Sequence, residues 1–283
     1  MVTKPFAATG IELPPIGQGS WDIPEHGGRM TEAKTAIRRG IELGLVHIDT
    51  AEMYGNGAAE KIIGQAIAEV PREQLFLTSK VLPSHAAYDD VLKACDRSLK
   101  RLKTEYLDLY LLHWPSSVPL EETMRALEAL VERGKARCIG VSNFDLAELR
   151  EAQAHLHKER VACNQVLYHL RERGIEVELL PYCVEHEIAI VGYTPFGRGK
   201  FPRDGIAPDG VLGKIATSRS KTPRQVILNF LTREPALFAI PKASIPAHVE
   251  ENAGAMGWAL DPSEISAIDR AYPVRYNGTL ETL

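Results

Sequence analysis

Eight short runs rich in β-branched residues or leucine alternate along the chain with longer amphipathic segments, at intervals of about 30 residues. Together with the missing nucleotide signature GxGxxG, this alternation predicts an α/β fold, a (β/α)8 TIM barrel, over an open doubly wound sheet. Gly17-Gln18-Gly19 comes nearest to that signature, but it has no third glycine and no helix opening directly behind it. A third observation is length: 283 residues is ordinary for a barrel that forms one domain. No shift in composition divides the sequence, so residues 1–283 are expected to be a single barrel domain.

In order, the chain opens with Phe6–Leu13, which alternates around Thr9-Gly10 and reads as a β-hairpin closing the barrel floor. The barrel strands are expected at Pro15–Gln18, Leu45–Asp49, Leu75–Thr78, Leu107–Leu111, Arg137–Val141, Val161–Gln165, Ile188–Gly192 and Leu237–Ile240. Each is too short for a free-standing helix and is bounded by Gly, Pro, Ser or a polar turn. Helices are expected at Thr31–Leu43, Ala58–Glu69, Tyr88–Leu102 and Leu120–Arg133, with Glu121 and Arg125 as an i,i+4 pair on the last. Between Tyr193 and Leu237 the spacing is longer, and Gly197–Gly210 reads as a lid over the functional end.

Composition narrows the function. Hydrophobic residues are 45% and charged residues 25%, with a formal net charge of −4 and no basic stripe. Nucleic acid and anionic membrane surfaces are therefore not expected as partners. Cys95, Cys138, Cys163 and Cys183 lack CxxC spacing and read as free thiols, so no metal site is expected. The N-terminus has no apolar core of a signal peptide, which points to a cytoplasmic protein.

Chemistry in a barrel of this kind sits at the C-terminal ends of the strands. Those ends deliver Ser20-Trp21, Asp49-Thr50, Ser79-Lys80, His113-Trp114, Ser142-Asn143, Gln165, Tyr193 and Lys242. Asp49, Lys80 and His113 come from three neighbouring strands, and Tyr54 from the loop after Asp49. Taken singly, Asp49 could be a turn cap, Lys80 a solvated strand end, His113 a core histidine and Tyr54 a turn residue. Four coincidences at one rim are a poorer account than one site. A tyrosine, with an unperturbed pKa near 10, is a weak acid, and a lysine ammonium in reach is expected to lower that value. Asp49 would hold Lys80 charged. His113 and Tyr54 would together hold a carbonyl oxygen and stabilise the alkoxide formed as hydride reaches carbon.

At these residues the sequence resembles the aldo-keto reductase family, and the likeness runs through essentially the whole chain. It is carried by His47-Ile48-Asp49-Thr50-Ala51-Glu52-Met53-Tyr54-Gly55-Asn56, Leu77-Thr78-Ser79-Lys80 and Asp108-Leu109-Tyr110-Leu111-Leu112-His113-Trp114. Gly140-Val141-Ser142-Asn143-Phe144, Asn164-Gln165-Val166 and Ile240-Pro241-Lys242 follow in the family's order. The resemblance implies NADPH-dependent reduction of small carbonyl compounds by a monomer, with the cofactor bound in extended form. Ser142, Asn143 and Gln165 would then hold the nicotinamide carboxamide, and Tyr193 its ring. Thr194, Pro195, Phe196 and Gly197 would lie over the pyrophosphate, Lys242 would meet the 2′-phosphate, and Glu251 and Asn252 would face adenine. Trp21 and Trp114, with His113, would wall the substrate pocket.

Two positions depart from the family. Ala243 stands where many members have Ser or Thr, and His248 where many have an arginine that stacks on adenine and pairs with the 2′-phosphate. Histidine is largely neutral at pH 7 and offers no guanidinium fork. The resemblance thus implies that NADPH is still preferred, with NADH accepted more weakly and the margin narrower than in arginine-bearing relatives. The polar stretch after Pro273 is short and suggests an open site that accepts aldehydes, α-dicarbonyls and sugar-derived ketones. The alternative reading is a non-catalytic NADP(H)-binding regulatory or sensor protein on the same barrel.

Overall fold

The structure, a computed structural model, describes residues 2–23, 27–199 and 210–283. A parallel eight-stranded sheet runs in chain order: β3 (Gln18–Gly19), β4 (His47–Asp49), β5 (Phe76–Val81), β6 (Leu107–Leu112), β7 (Ala136–Ser142), β8 (Val161–Leu167), β9 (Ala189–Tyr193) and β10 (Leu237–Ala239). The sheet closes on itself through parallel bridges from Ile16 to Ala239 and from Gly19 to Lys242. It is a (β/α)8 barrel, as the spacing predicts. Each strand leads into helix: α1 (Gly27–Glu42), α2 (Ala58–Ala66), α3 (Tyr88–Leu102), α4 (Leu120–Glu132), α5 (Leu146–Ala154) and α6 (Leu179–Glu185). Two helices, α7 (Val211–Arg219) and α8 (Pro223–Leu231), follow β9, and two more, α9 (Pro246–Ala253) and α10 (Pro262–Ala271), follow β10.

The first barrel strand is shorter and later than the expected Pro15–Gln18. Pro15 has no N–H to donate and only accepts, from the Ala239 amide at 2.9 Å, while the Gly17 amide donates to the Ala239 carbonyl at 2.8 Å, so the stretch makes a single bridge. Glycine makes the closure possible. A Cβ on Gly17 would come within 2.6 Å of the His47 carbonyl oxygen, and one on Gly19 within 2.6 Å of the Ile240 carbonyl oxygen. β5, β6 and β8 are buried along their whole length, the condition of strands covered by helices outside and packed side chains inside.

The hairpin forms but starts earlier than the expected Phe6, β1 (Lys4–Phe6) pairing antiparallel with β2 (Ile11–Leu13). Phe6 is fully buried and meets Phe76, the first residue of β5, and Phe238 of β10 edge-on at 5.0 and 5.1 Å, so the hairpin seals the end opposite the site. Asp89 and Asp90 open α3 while Lys100 and Arg101 close it, opposing the helix dipole at both ends. The Glu121–Arg125 pair is not what α4 uses: the Arg125 guanidinium lies 5.0 Å from the Tyr88 ring centroid. Gly197–Gly199 forms one 3-10 turn, and most of the expected lid, residues 200–209, lies outside the described residues. Among the described residues, no helix is long and apolar enough to cross a membrane, and no group of three or more His, Cys, Asp or Glu could hold a metal ion.

Candidate active site

At the C-terminal mouth of the barrel, the four residues expected to carry chemistry converge. Lys80 near the end of β5 is fully buried. Its ammonium donates to Asp49 Oδ1 at 2.7 Å, to the Thr50 carbonyl at 2.8 Å and to the Tyr54 hydroxyl at 3.1 Å. All three lysine protons are thereby assigned. The other Asp49 oxygen accepts from Gln165 Nε2 at 2.7 Å, which ties β4 to β8 across the barrel. Tyr54 begins a tight turn in which Gly55 and Asn56 both take left-handed φ values (56° and 50°), so the chain doubles back and places the phenol over Lys80. The Tyr54 ring meets the His113 ring edge-on, centroids 5.7 Å apart.

Burial would strip the charge from Lys80, but Asp49 and Tyr54 outweigh it and hold the ammonium above the ordinary lysine range. Tyr54 corrects the expectation of a lowered pKa. Burial raises it most, the Lys80 charge lowers it, the Asp49 charge raises it again, and the net direction is up. The phenol is therefore a fully protonated donor at neutral pH. Burial, seconded by the Lys80 charge, depresses His113 to about 2, so its imidazole is neutral. Its Nδ1 is buried without a partner among the described residues. An orphan acceptor costs less than an orphan N–H, which favours the tautomer carrying the proton on Nε2.

Around these four, a cleft of about 330 Å³ is lined by Trp21, Trp114, Ser142, Asn143, Gln165, Tyr193, Thr194, Pro195, Phe196 and Lys242, all expected from the sequence. Asn143 sits in left-handed conformation (φ 61°). Its amide donates to the His113 carbonyl at 3.0 Å and its Oδ1 accepts from the Tyr193 hydroxyl at 2.7 Å. Thr194 (φ 56°) is a β-branched residue in the same region, strain that only a well-packed site sustains. Among the described residues, Arg198 and Lys242 are the cationic side chains of the cleft lining, and its acidic side chain, Asp49, is engaged by Lys80 and Gln165.

Five cleft residues escaped the sequence reading: Gly19, Met53, Arg198, Ile240 and Leu283. Met53 and Ile240 adjoin residues that were singled out, so neighbourhood was the available signal. Arg198 lies over the Trp21 ring at 4.7 Å, a pairing across 177 positions that no local pattern announces. The short tail does reach the site: Leu283 joins the cleft wall and Leu280 packs against the core. At the far end, His248 is exposed and Asn252 is buried, and neither lines the cleft. Glu251 faces Arg224 at 3.7 Å.

The sequence profile described as the aldo/keto reductase family matches residues 15–273. The chain belongs to the aldo/keto reductase family. Among curated relatives, methylglyoxal reductase YeaE of Escherichia coli is 43% identical over 263 residues, covering 93% of this chain and 92% of that protein. Glyoxal reductase of Bacillus subtilis is 36% identical over 263 residues, covering 92% and 89%. The crystal structure of an aldo-keto reductase from Klebsiella pneumoniae in complex with NADPH superposes with a TM-score of 0.92 at 41% identity over the full length of both chains. The residues of this aldo/keto reductase fit such a cofactor. Its cleft offers the cations Arg198 and Lys242, and an amide cluster at Asn143 and Gln165 beside the Tyr193 ring. Beyond Lys242, the Ser244 hydroxyl is buried without a partner among the described residues.

Proposed function

We propose that this chain reduces small aldehydes, α-dicarbonyls or ketones to alcohols, preferring NADPH and accepting NADH more weakly, with Tyr54 as the proton donor. The observation that carries the reading is the buried chain Asp49–Lys80–Tyr54, with distances of 2.7 and 3.1 Å, opening on a cleft beside a neutral His113. When bound, NADPH supplies the hydride that enters the carbonyl carbon. Tyr54 gives its proton to the carbonyl oxygen as the C–O double bond becomes an alcohol, and draws another from solvent afterwards. His113 Nε2–H donates to the same oxygen and orients it. Lys80 steadies the phenolic oxygen as it loses its proton, and Asp49 keeps Lys80 charged and in place. Trp21 and Trp114 form the apolar walls of the substrate end.

Ser142, Asn143 and Gln165 would hold the carboxamide of the nicotinamide, and Tyr193 its ring. The segment Thr194–Gly197 would hold the pyrophosphate, Lys242 the 2′-phosphate, and Glu251, Asn252 and His248 the adenosine end. The whole chain serves as one catalytic domain, acting as a monomer in the cytoplasm without a nucleic-acid or membrane partner.

The test is steady-state NADPH oxidation with methylglyoxal, glyoxal and a sugar-derived ketone, in the presence of a chelator. Turnover of at least one is expected. Tight NADPH binding without turnover of any carbonyl would overturn the catalytic assignment. The pH profile carries a second expected outcome. Because His113 is neutral from its pKa of about 2 upward, kcat/KM should be flat from pH 5.5 to 7.5. An inflection near 6.5 that disappears in His113→Gln would show that the imidazole titrates and would remove its assigned state.

A further inference from the structure

Helix α8 begins at Pro223 with a capping box in which the Thr222 hydroxyl accepts from the Gln225 amide and the Gln225 side chain accepts from the Thr222 amide. Arg224 is therefore in the first turn. A helix prefers acids there, and a cation is disfavoured by the dipole. Helices α3 and α4 follow that rule, opening on Asp89 and Asp90 and on Glu121 and Glu122. Arg224 gains little in return. Its side chain is 50% exposed, and its acidic contact, Glu251 Oε2, is 3.7 Å away, too far for a hydrogen bond.

Its surroundings are those of the cleft wall. The guanidinium stands over the Phe196 ring, 5.5 Å from the centroid, and Phe196 is part of the cleft wall that also contains Lys242. Phe196 and Ala243 pack against one small apolar cluster that includes Leu228 of α8 and Val249 of α9. The Gln225 side chain donates to the Glu251 carbonyl at 3.0 Å, locking the start of α8 to α9. Arg224 thus sits between the pyrophosphate wall and the residues assigned to adenosine. The guanidinium comes from α8, whereas position 248 lies on α9.

We propose that Arg224 is the specificity-determining residue for the 2′-phosphate of the cofactor. It supplies the planar guanidinium that His248 does not, and works with Lys242 to select NADPH over NADH. This rests on the NADPH reading above. An arginine fork takes a phosphate in two parallel hydrogen bonds, whereas Lys242 alone offers a point charge. The weak hold of Glu251 leaves the fork free to turn to the ligand.

The test is direct binding to the intact protein, by calorimetry, of NADP⁺, NAD⁺, 2′,5′-ADP and 5′-AMP, with wild type, Arg224→Met and Arg224→Met/His248→Arg. Wild type should bind 2′,5′-ADP far more tightly than 5′-AMP. Arg224→Met should lose about 10- to 100-fold in affinity for NADP⁺ and 2′,5′-ADP, and less than about threefold for NAD⁺ and 5′-AMP. Adding His248→Arg should restore most of the loss. A wild type indifferent to the 2′-phosphate would overturn the NADPH reading itself. A wild type that discriminates, with Arg224→Met discriminating equally well, would overturn only the assignment of Arg224. Equal weakening of NADP⁺ and NAD⁺ would do the same, since it marks a packing role.

Discussion

Tyr54→Phe should lower kcat for carbonyl reduction by about 10²- to 10⁴-fold while leaving NADPH affinity within a factor of about two. The substitution removes one hydroxyl and keeps the ring, so the edge-on contact with His113 at 5.7 Å survives. What disappears is the one group in the cleft that is both protonated at neutral pH and linked to a buried ammonium, at 3.1 Å from Lys80. His113 cannot substitute. With its pKa depressed to about 2, a neutral imidazole can orient an oxygen but is a far poorer acid. Single-turnover reduction followed alongside equilibrium NADPH binding checks both halves of the expectation. A kcat within tenfold of wild type would mean that the proton arrives by another route, through water or His113, and Tyr54 would become a positioning group. A parallel loss of NADPH binding would mean that the phenol supports the cofactor and not the reacting oxygen.

Much of this site was legible in the sequence because barrel topology turns order along the chain into position around a ring. Asp49, Lys80 and His113 lie about 30 residues apart, and each follows an apolar run, so adjacency of the strands brings them to one mouth. Strand ends were less legible where hydrogen-bonding capacity decides them, as at Pro15. The direction of the Tyr54 shift was not legible at all. Spacing reveals that a lysine is near, but burial outweighs its charge, and burial depends on packing from every neighbouring strand. Arg198 and Arg224 were missed for a related reason. Each acts through an aromatic ring distant in sequence, Trp21 and Phe196, and neither sits at a strand end. The family's arginine was sought at position 248 because the motif has it there. A site requires a guanidinium in a place, whichever helix brings it there.

Lys80→Met should destabilise the protein by about 3–5 kcal/mol and also abolish most turnover, and the two effects should be separable. The ammonium is fully buried, and removing it leaves Asp49 as an uncompensated buried carboxylate whose remaining partner is Gln165, and leaves the Thr50 carbonyl without its donor. Most of the stability loss therefore belongs to Asp49 and not to missing lysine contacts. The double variant Lys80→Met/Asp49→Asn, which leaves no charge unpaired, should recover the greater part of it as read by the urea midpoint. It should not recover activity, because the Tyr54 oxygen still lacks the cation that steadies it as its proton departs. The sign of the pKa change follows from the same contact: the Lys80 charge is what pulls the Tyr54 pKa down, so in Lys80→Met the basic limb of alcohol oxidation should move to higher pH. Recovery of both stability and turnover in the double variant would reduce the Asp49–Lys80 pair to a structural tie across the barrel mouth. A single variant as stable as wild type would mean that Asp49 takes up a proton when Lys80 is lost, which titration of unfolding between pH 5 and 8 would register as one extra proton bound by the folded state.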